Sequence, residues 1–354
     1  HEPALDVAKK CGILCSRCLK LFSGKIRRAD QDCKGSNVAY TVTVDQSSSQ
    51  YRTVQSAIDS IPAENSQWIK IHIKAGTYKE KIKIQRNKPC ILLEGEGSGV
   101  TKITYDDHQS TDTSATFSSF ADNVVAKGIT FENSYNLAVE ILAELDRRGR
   151  DLGTLQAGND ITQALAARIY GDKSAFYDCR FLGVQDTLWD VQGRHFFKSC
   201  YIEGAIDFIF GNGQSVYEDC SVNSTAGLLI GGRGSGYITA QSRGSANDPG
   251  GFVFRGGEVT GTGQAYLGRA YGPYSRVIFY NAWLSSVVTP PGWNAWNLQG
   301  QEGNFMYAEV NCKGPGSDTS NRVSWEKKID PKLLYKYSTS YFINQDGWIS
   351  KQPQ

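Results

Sequence analysis

The chain has 354 residues, 40% of them hydrophobic, and a net charge of +2, which allows a sizeable core and gives no argument for nucleic acid as a partner. No run of 18 apolar residues occurs, so no helical membrane span is expected. With 37 glycines, one methionine and 11% aromatic residues, the composition is closer to strands and turns than to a helical bundle.

Residues 1–37 are polar and weakly periodic, with a basic run from Lys25 to Arg28, and read as an extension outside the core. The chain begins without an initiator methionine or an apolar signal region, which reads as a processed or trimmed product. Of the nine cysteines, Cys11, Cys15, Cys18 and Cys33 cluster near the start. A zinc site is one reading, but two Cys-x-x-Cys pairs are not present and no histidine is close. Disulfide pairing or lack of order is the other. The domain proper is expected over residues 38–354. Residues 51–61 carry Val54, Ala57, Ile58 and Ile61 at helical spacing with Pro62 just after, which predicts a short helix. β-rich runs follow at residues 69–73, 82–84 and 90–93.

The chain then becomes repetitive. An aromatic-x-x-Cys pattern recurs at Phe176–Cys179, Phe197–Cys200 and Tyr217–Cys220, with cysteine steps of 21 and 20 residues. Residues 124–131, 252–259 and 277–284 have the same shape, with Gly128, Gly257 and Ala282 where cysteine stands elsewhere. Short strands at this period, with small interior residues, predict a right-handed, single-stranded parallel β-helix, an all-β solenoid. Cys179, Cys200 and Cys220 read as small buried residues of an interior ladder, with a disulfide between coils as the alternative. Residues 134–162 form a long, charged insertion with partly helical periodicity, expected to be a surface excursion. Asn223-Ser224-Thr225 is a glycosylation acceptor and favours secretion.

The repeat also generates chemistry. Asp186 and Asp207 lie seven residues beyond the first two repeat cysteines, 21 residues apart. Parallel coils stack at about 4.8 Å, so the two carboxylates are expected as neighbours, one with a raised pKa and the other lowered. Gln163 precedes Gln185 by 22 residues, placing two amides beside the acids, as an oxyanion requires. No Gly-x-Ser-x-Gly elbow, zincin motif, phosphate loop or dinucleotide fingerprint occurs. Only His195 of the four histidines lies in the repeat, so the carboxylates must carry any catalysis.

Several ordered blocks carry a resemblance: GTYKEKIKI at 76–84, TQALAARIYGDKSAFYDC at 162–179, GVQDTLWD at 183–190, AIDFIFGNG at 205–213, YLGRAYGPYSRV at 266–277 and PPGW at 290–293. They closely resemble the plant pectin methylesterases. The resemblance implies a secreted, cell-wall, cofactor-free and metal-free monomeric esterase that de-methylesterifies homogalacturonan to pectate and methanol. It also offers a proteinaceous pectinesterase inhibitor as a second partner. It assigns Asp207 as nucleophile, Asp186 as acid and then base, Gln163 and Gln185 as oxyanion stabilisers, and Arg269 as the residue that pairs with Asp207. Trp189, Phe210, Tyr271 and Trp293 would floor the substrate groove, with Thr111 as a further substrate contact. Ala270-Tyr271 departs from the Pro-Trp usual after this arginine and should alter subsite affinity. A β-helix polygalacturonase-like glycosidase or a lyase is the enzymatic rival, and a non-catalytic pectin-binding decoy is the rival from another class.

Overall fold

The structure is a computed structural model that describes residues 32–47, 50–137, 161–229 and 234–353. Cys11, Cys15, Cys18, the Lys25–Arg28 run and most of the 134–162 insertion lie outside the described residues. From Cys33 onward the chain forms one compact unit. A disulfide from Cys33 to Cys90, with Cα atoms 5.9 Å apart, ties the residues ahead of Val38 to the solenoid, so the folded unit starts before residue 38. Neither sequence spacing nor the aromatic-x-x-Cys repeat marks this pairing, because Cys90 belongs to no repeat row.

Three parallel sheets wrap the core in a right-handed parallel β-helix, with ten, eight and eight strands among the described residues. The ten-stranded sheet runs from Val38–Val44 to Met306–Val310; the other two run from Ile82–Ile84 to Trp293–Asn294 and from Gly76–Lys79 to Trp283–Leu284. Each turn of the chain contributes one strand to each sheet, which is why a 21-residue repeat places equivalent residues in register. The helix Val54–Ser60 sits at the entry, with the Thr53 hydroxyl accepting from the Ser56 amide as an N-cap and Val54, Ala57 and Ile58 buried.

The aromatic of each repeat stacks inside the solenoid. Phe176 on Phe197, Phe197 on Tyr217, Tyr217 on Phe254 and Phe254 on Phe279 have centroid separations of 4.9, 4.5, 4.6 and 4.3 Å. Cys179, Cys200 and Cys220 are free and buried, as the ladder reading requires. One register detail differs from the sequence reading. Ala126 pairs with Phe176 and Lys127 with Tyr177, so Gly128 aligns with Asp178 at the corner, and Ile129 occupies the cysteine row. Gly128, Asp178, Ser199, Asp219, Gly256 and Asn281 all adopt positive φ, the left-handed conformation that turns the chain from one sheet to the next.

Two of the three outward faces are distinguished by what covers them. Outward residues of the ten-stranded sheet (Leu92, Val125, Phe196, Val216, Val253 and Ile278) form a second apolar cluster with Phe342, Ile343 and Trp348 of the C-terminal segment. That sheet is therefore covered. The sheet that begins at Ile82–Ile84 carries outward, in register, Ser118, Arg168, Trp189, Phe210, Ala240, Arg269 and Asn294. This half-exposed polar and aromatic row is the candidate floor.

Candidate active site

Asp186 and Asp207 occupy the corner that leads into this floor. The Asp186 amide donates to the Ile206 carbonyl at 3.0 Å, and the Ala205 and Ile206 amides both donate to Val184 at 2.7 and 3.1 Å, which fixes the two corners one above the other. Both aspartates have positive φ, 60° and 49°; aspartate tolerates this better than most residues, and such strain clusters at functional sites. Glycine makes the stacking feasible. A Cβ on Gly204 would fall 2.3 Å from the Phe208 Cβ and 2.9 Å from the Thr187 hydroxyl, so the close approach of successive corners requires its absence.

Arg269 reaches back to this pair from the strand Ala265–Ala270. Its Nε donates to one Asp207 oxygen at 2.8 Å and an Nη to the other at 2.5 Å, a bidentate pair. The side chains are only 15% and 10% exposed. Burial and the facing Asp207 charge push the Asp186 carboxyl well above the ordinary carboxylate range. Burial also raises Asp207, but the Arg269 guanidinium opposes it through hydrogen bonds and charge. The expected split, one acid up and the other down, therefore becomes two acids raised, with Asp186 raised further. Proximity was legible in the repeat, whereas depth of burial was not. Of the two, Asp186 is the acid that burial and the neighbouring charge favour in its neutral form, and Asp207 is the one whose charge Arg269 favours.

Gln163 and Gln185 flank the acids from the preceding corners. The Ala164 amide donates to the Gln185 carbonyl at 3.2 Å, which sets them in adjacent coils. Gln163 is exposed and Gln185 half-buried, and neither side-chain amide has a hydrogen-bond partner among the described residues. Both are thus available to donate to a bound oxygen.

The aromatic residues divide between floor and core. Trp189 and Phe210 stack at 5.3 Å with 17° between planes and are half-buried on the floor. Tyr271 is 45% exposed at its edge. Thr111 is half-exposed, next to Asp112, whose carboxylate accepts from Arg168 at 3.1 Å. Trp293 is a correction. It is 1% exposed, stacks on Tyr307 at 4.5 Å and donates its indole N–H to Glu326 at 2.9 Å, so it is a core residue and no part of the floor. The reason is strand parity: Trp293 pairs with inward Gly268, and its neighbour Asn294 pairs with outward Arg269. The surface-facing indole here is Trp296.

Other residues on this surface were missed. The Arg168 guanidinium lies 4.7 Å from the Trp189 ring centroid, and Tyr237 and Tyr266 stack at 5.3 Å in the coils after Asp207. The register could have found Arg168, the ladder partner of Trp189, whereas Tyr237 and Tyr266 pair with Ile206 and with each other and carried no such signal. His195, in contrast, is fully buried. It contacts Asp190 at 2.5 Å and the Gly171 carbonyl at 2.9 Å, while Tyr217 donates to the other Asp190 oxygen at 2.7 Å. This network closes the interior and does not face the acids. Among the described residues, no group of three or more His, Cys, Asp or Glu is arranged to hold a metal ion.

Two stacked aspartates, Asp186 with its carboxyl raised well above the ordinary range by burial and Asp207 paired bidentately with Arg269, with free amides beside them and an aromatic floor, suit acyl transfer on a carbohydrate. Comparison with known proteins agrees. The family model described as Pectinesterase matches residues 40–141 and 149–346. Probable pectinesterase 55 of Arabidopsis thaliana is 48% identical over 89% of this chain and 91% of its own length. Probable pectinesterase 29 of the same plant is 47% identical over 88% and 89%. Among solved structures, the pectin methylesterase from carrot superposes with a TM-score of 0.77 at 30% identity, covering 89% of this chain and 97% of that one. The chain belongs to the pectinesterase family.

Proposed function

We propose that the protein hydrolyses the methyl esters of homogalacturonan, releasing methanol and leaving pectate, with Asp207 as nucleophile and Asp186 as acid and base. The observation that carries this reading is the bidentate Arg269–Asp207 pair stacked against a buried Asp186. An Asp207 carboxylate oxygen attacks the ester carbonyl carbon, and the carbonyl π electrons move to oxygen. The side-chain amides of Gln163 and Gln185 donate to that oxyanion. Collapse breaks the C–OCH3 bond, Asp186 gives its proton to the leaving methoxide, and an anhydride joins Asp207 to the galacturonosyl group. Asp186, now a carboxylate, takes a proton from water as the hydroxide attacks the galacturonosyl carbonyl. Asp207 leaves as a carboxylate and Asp186 is again protonated.

The floor fits the polymer. Trp189, Phe210 and Tyr271 offer apolar faces for sugar rings, and Thr111 lies at the Arg168 end of the row. The Cys33–Cys90 disulfide is in keeping with an oxidising, extracellular location and supports action at the plant cell wall. A proteinaceous inhibitor remains a proposed partner, and a monomer the proposed state, on family resemblance alone.

Highly methylated pectin incubated with the protein is expected to yield methanol and new carboxylates in equal amounts, with chain length unchanged. Shortened or unsaturated chains without methanol would replace this reading with a glycosidase or a lyase. Retained binding without any product would replace it with a binding protein.

A further inference from the structure

Arg269 does more than meet Asp207: it is held between two aromatic rings. Its guanidinium carbon lies 4.1 Å from the Tyr237 ring centroid and 4.0 Å from that of Trp296. Each ring is itself braced. Tyr237 stacks on Tyr266 at 5.3 Å with only 9° between planes, and the two are ladder partners in adjacent strands. Trp296 sits in a left-handed conformation, φ 51°, where its amide donates to the Asn294 side chain at 2.7 Å. Asn294 is in turn the strand partner of Arg269. On its outer side Trp296 meets Tyr271 at 5.4 Å. Tyr266, Tyr237, Arg269, Trp296 and Tyr271 thus form a run of successive contacts with the cation at its centre, stacked at the Tyr266–Tyr237 end and tilted by 37° between Trp296 and Tyr271.

We propose that Tyr237 and Trp296 are positioning residues that clamp the Arg269 guanidinium flat, so that both of its N–H groups stay aimed at the Asp207 carboxylate. The physical need is plain. A free arginine side chain has many rotamers, and a fork that strays from one carboxylate oxygen no longer fixes the attacking atom. Two rings, 4.1 and 4.0 Å from the guanidinium carbon, restrict how the group can turn and add cation–π attraction in a partly desolvated place. The proposal rests on the esterase reading for its kinetic consequences, though not for its electrostatic one.

Three ionisable groups surround Asp207: Arg269 from the strand Ala265–Ala270, which lowers its pKa, and Asp186 on the preceding coil and the Tyr307 phenol, both raised chiefly by burial and further by the Asp207 charge. Only Arg269 is a cation. Loosening it therefore removes the one influence that keeps Asp207 ionised, and the pH at which Asp207 gains its charge must move up. In the activity profile, the acidic limb of kcat/KM reports that ionisation.

Trp296→Leu and Tyr237→Leu are expected to lower kcat about tenfold and to move the acidic limb upward by about one pH unit. Trp296→Phe and Tyr237→Phe, which keep a ring, should restore most of both. A rise in KM alone, with kcat and the acidic limb unchanged, would overturn the proposal and make the rings a sugar platform. Unchanged kinetics would overturn it as well. If Trp296→Leu does not fold, the two Tyr237 variants decide the question by the same criteria. Should the wild type release no methanol, the esterase reading falls. The clamp is then tested by carbon-13 NMR titration of Asp207, whose midpoint must still rise in Tyr237→Leu.

Discussion

Replacing Asp207 with alanine is expected to lower methanol release by about ten-thousand-fold or more, since no other carboxylate can take the nucleophile's place. In the proposed mechanism Asp186 carries the proton for the leaving group, and Arg269 offers no lone pair. The same change leaves a guanidinium that is 15% exposed without its partner. A buried charge stripped of its counterion costs about 3 kcal/mol or more, so the melting temperature should fall along with activity. Asp207→Asn keeps the shape and lacks the charge, and should be nearly as inactive while losing less stability. Activity within tenfold of the wild type in either variant, measured as initial methanol release, would place the nucleophile elsewhere.

Asp186→Asn is the second large effect. Asparagine can neither protonate methoxide nor accept a proton from water, so both half-reactions slow, by about a thousandfold or more in methanol release. The stability change has the opposite sign. The folded-state pKa of Asp186 is raised, chiefly by burial. A raised acid contributes stability that is fully present below the unfolded-state pKa, about 3.9 for aspartate, and is lost as pH rises toward the folded value. At neutral pH the wild type therefore bears a cost that asparagine does not. Asp186→Asn should unfold at higher denaturant concentration than the wild type near pH 7, with the gap closing as pH falls toward the ordinary carboxylate range. A variant that is less stable at pH 7 would show that Asp186 is not held neutral by burial.

Much of this site was legible because a solenoid converts sequence period into spatial stacking. The 21-residue spacing of Asp186 and Asp207, the offset of Gln163 from Gln185, and the cysteine steps all report registry directly, and the structure brings those residues together. What the period does not report is parity within a strand. Trp293 and Trp296 both follow the PPG turn, yet one indole fills the interior beside Gly268 and the other turns outward through a left-handed residue. The local sequence is equally aromatic at both, and only the ladder from Arg269 to Asn294 separates them. The Gly128 slip has the same origin: a small residue suits the cysteine row and the left-handed corner alike, and backbone conformation decides between them. Burial is a third kind of information. Like-charge stacking raises one acid and lowers the other in principle, but burial raised both, and the Asp207 charge on Asp186 and the Arg269 hydrogen bonds to Asp207 separate them.

His195 illustrates the converse. A lone histidine in a catalytic repeat invites a functional role, yet its two ring nitrogens meet Asp190 and the Gly171 carbonyl in the sealed interior. Its position follows from the strand Arg194–Lys198, in which it faces the opposite side from Arg194 and pairs with Ser174 and Ser215.

The division of the proton between the two stacked aspartates is the claim on which the mechanism depends. Carbon-13 NMR of protein labelled at aspartate carboxyls, with Asp186→Asn and Asp207→Asn used to assign the two signals, reads it without substrate. The account predicts that at near-neutral pH the Asp186 carboxyl is still protonated while the Asp207 carboxyl is ionised. Two carboxyls titrating together in the range of exposed aspartates, or a proton resident on Asp207, would contradict it.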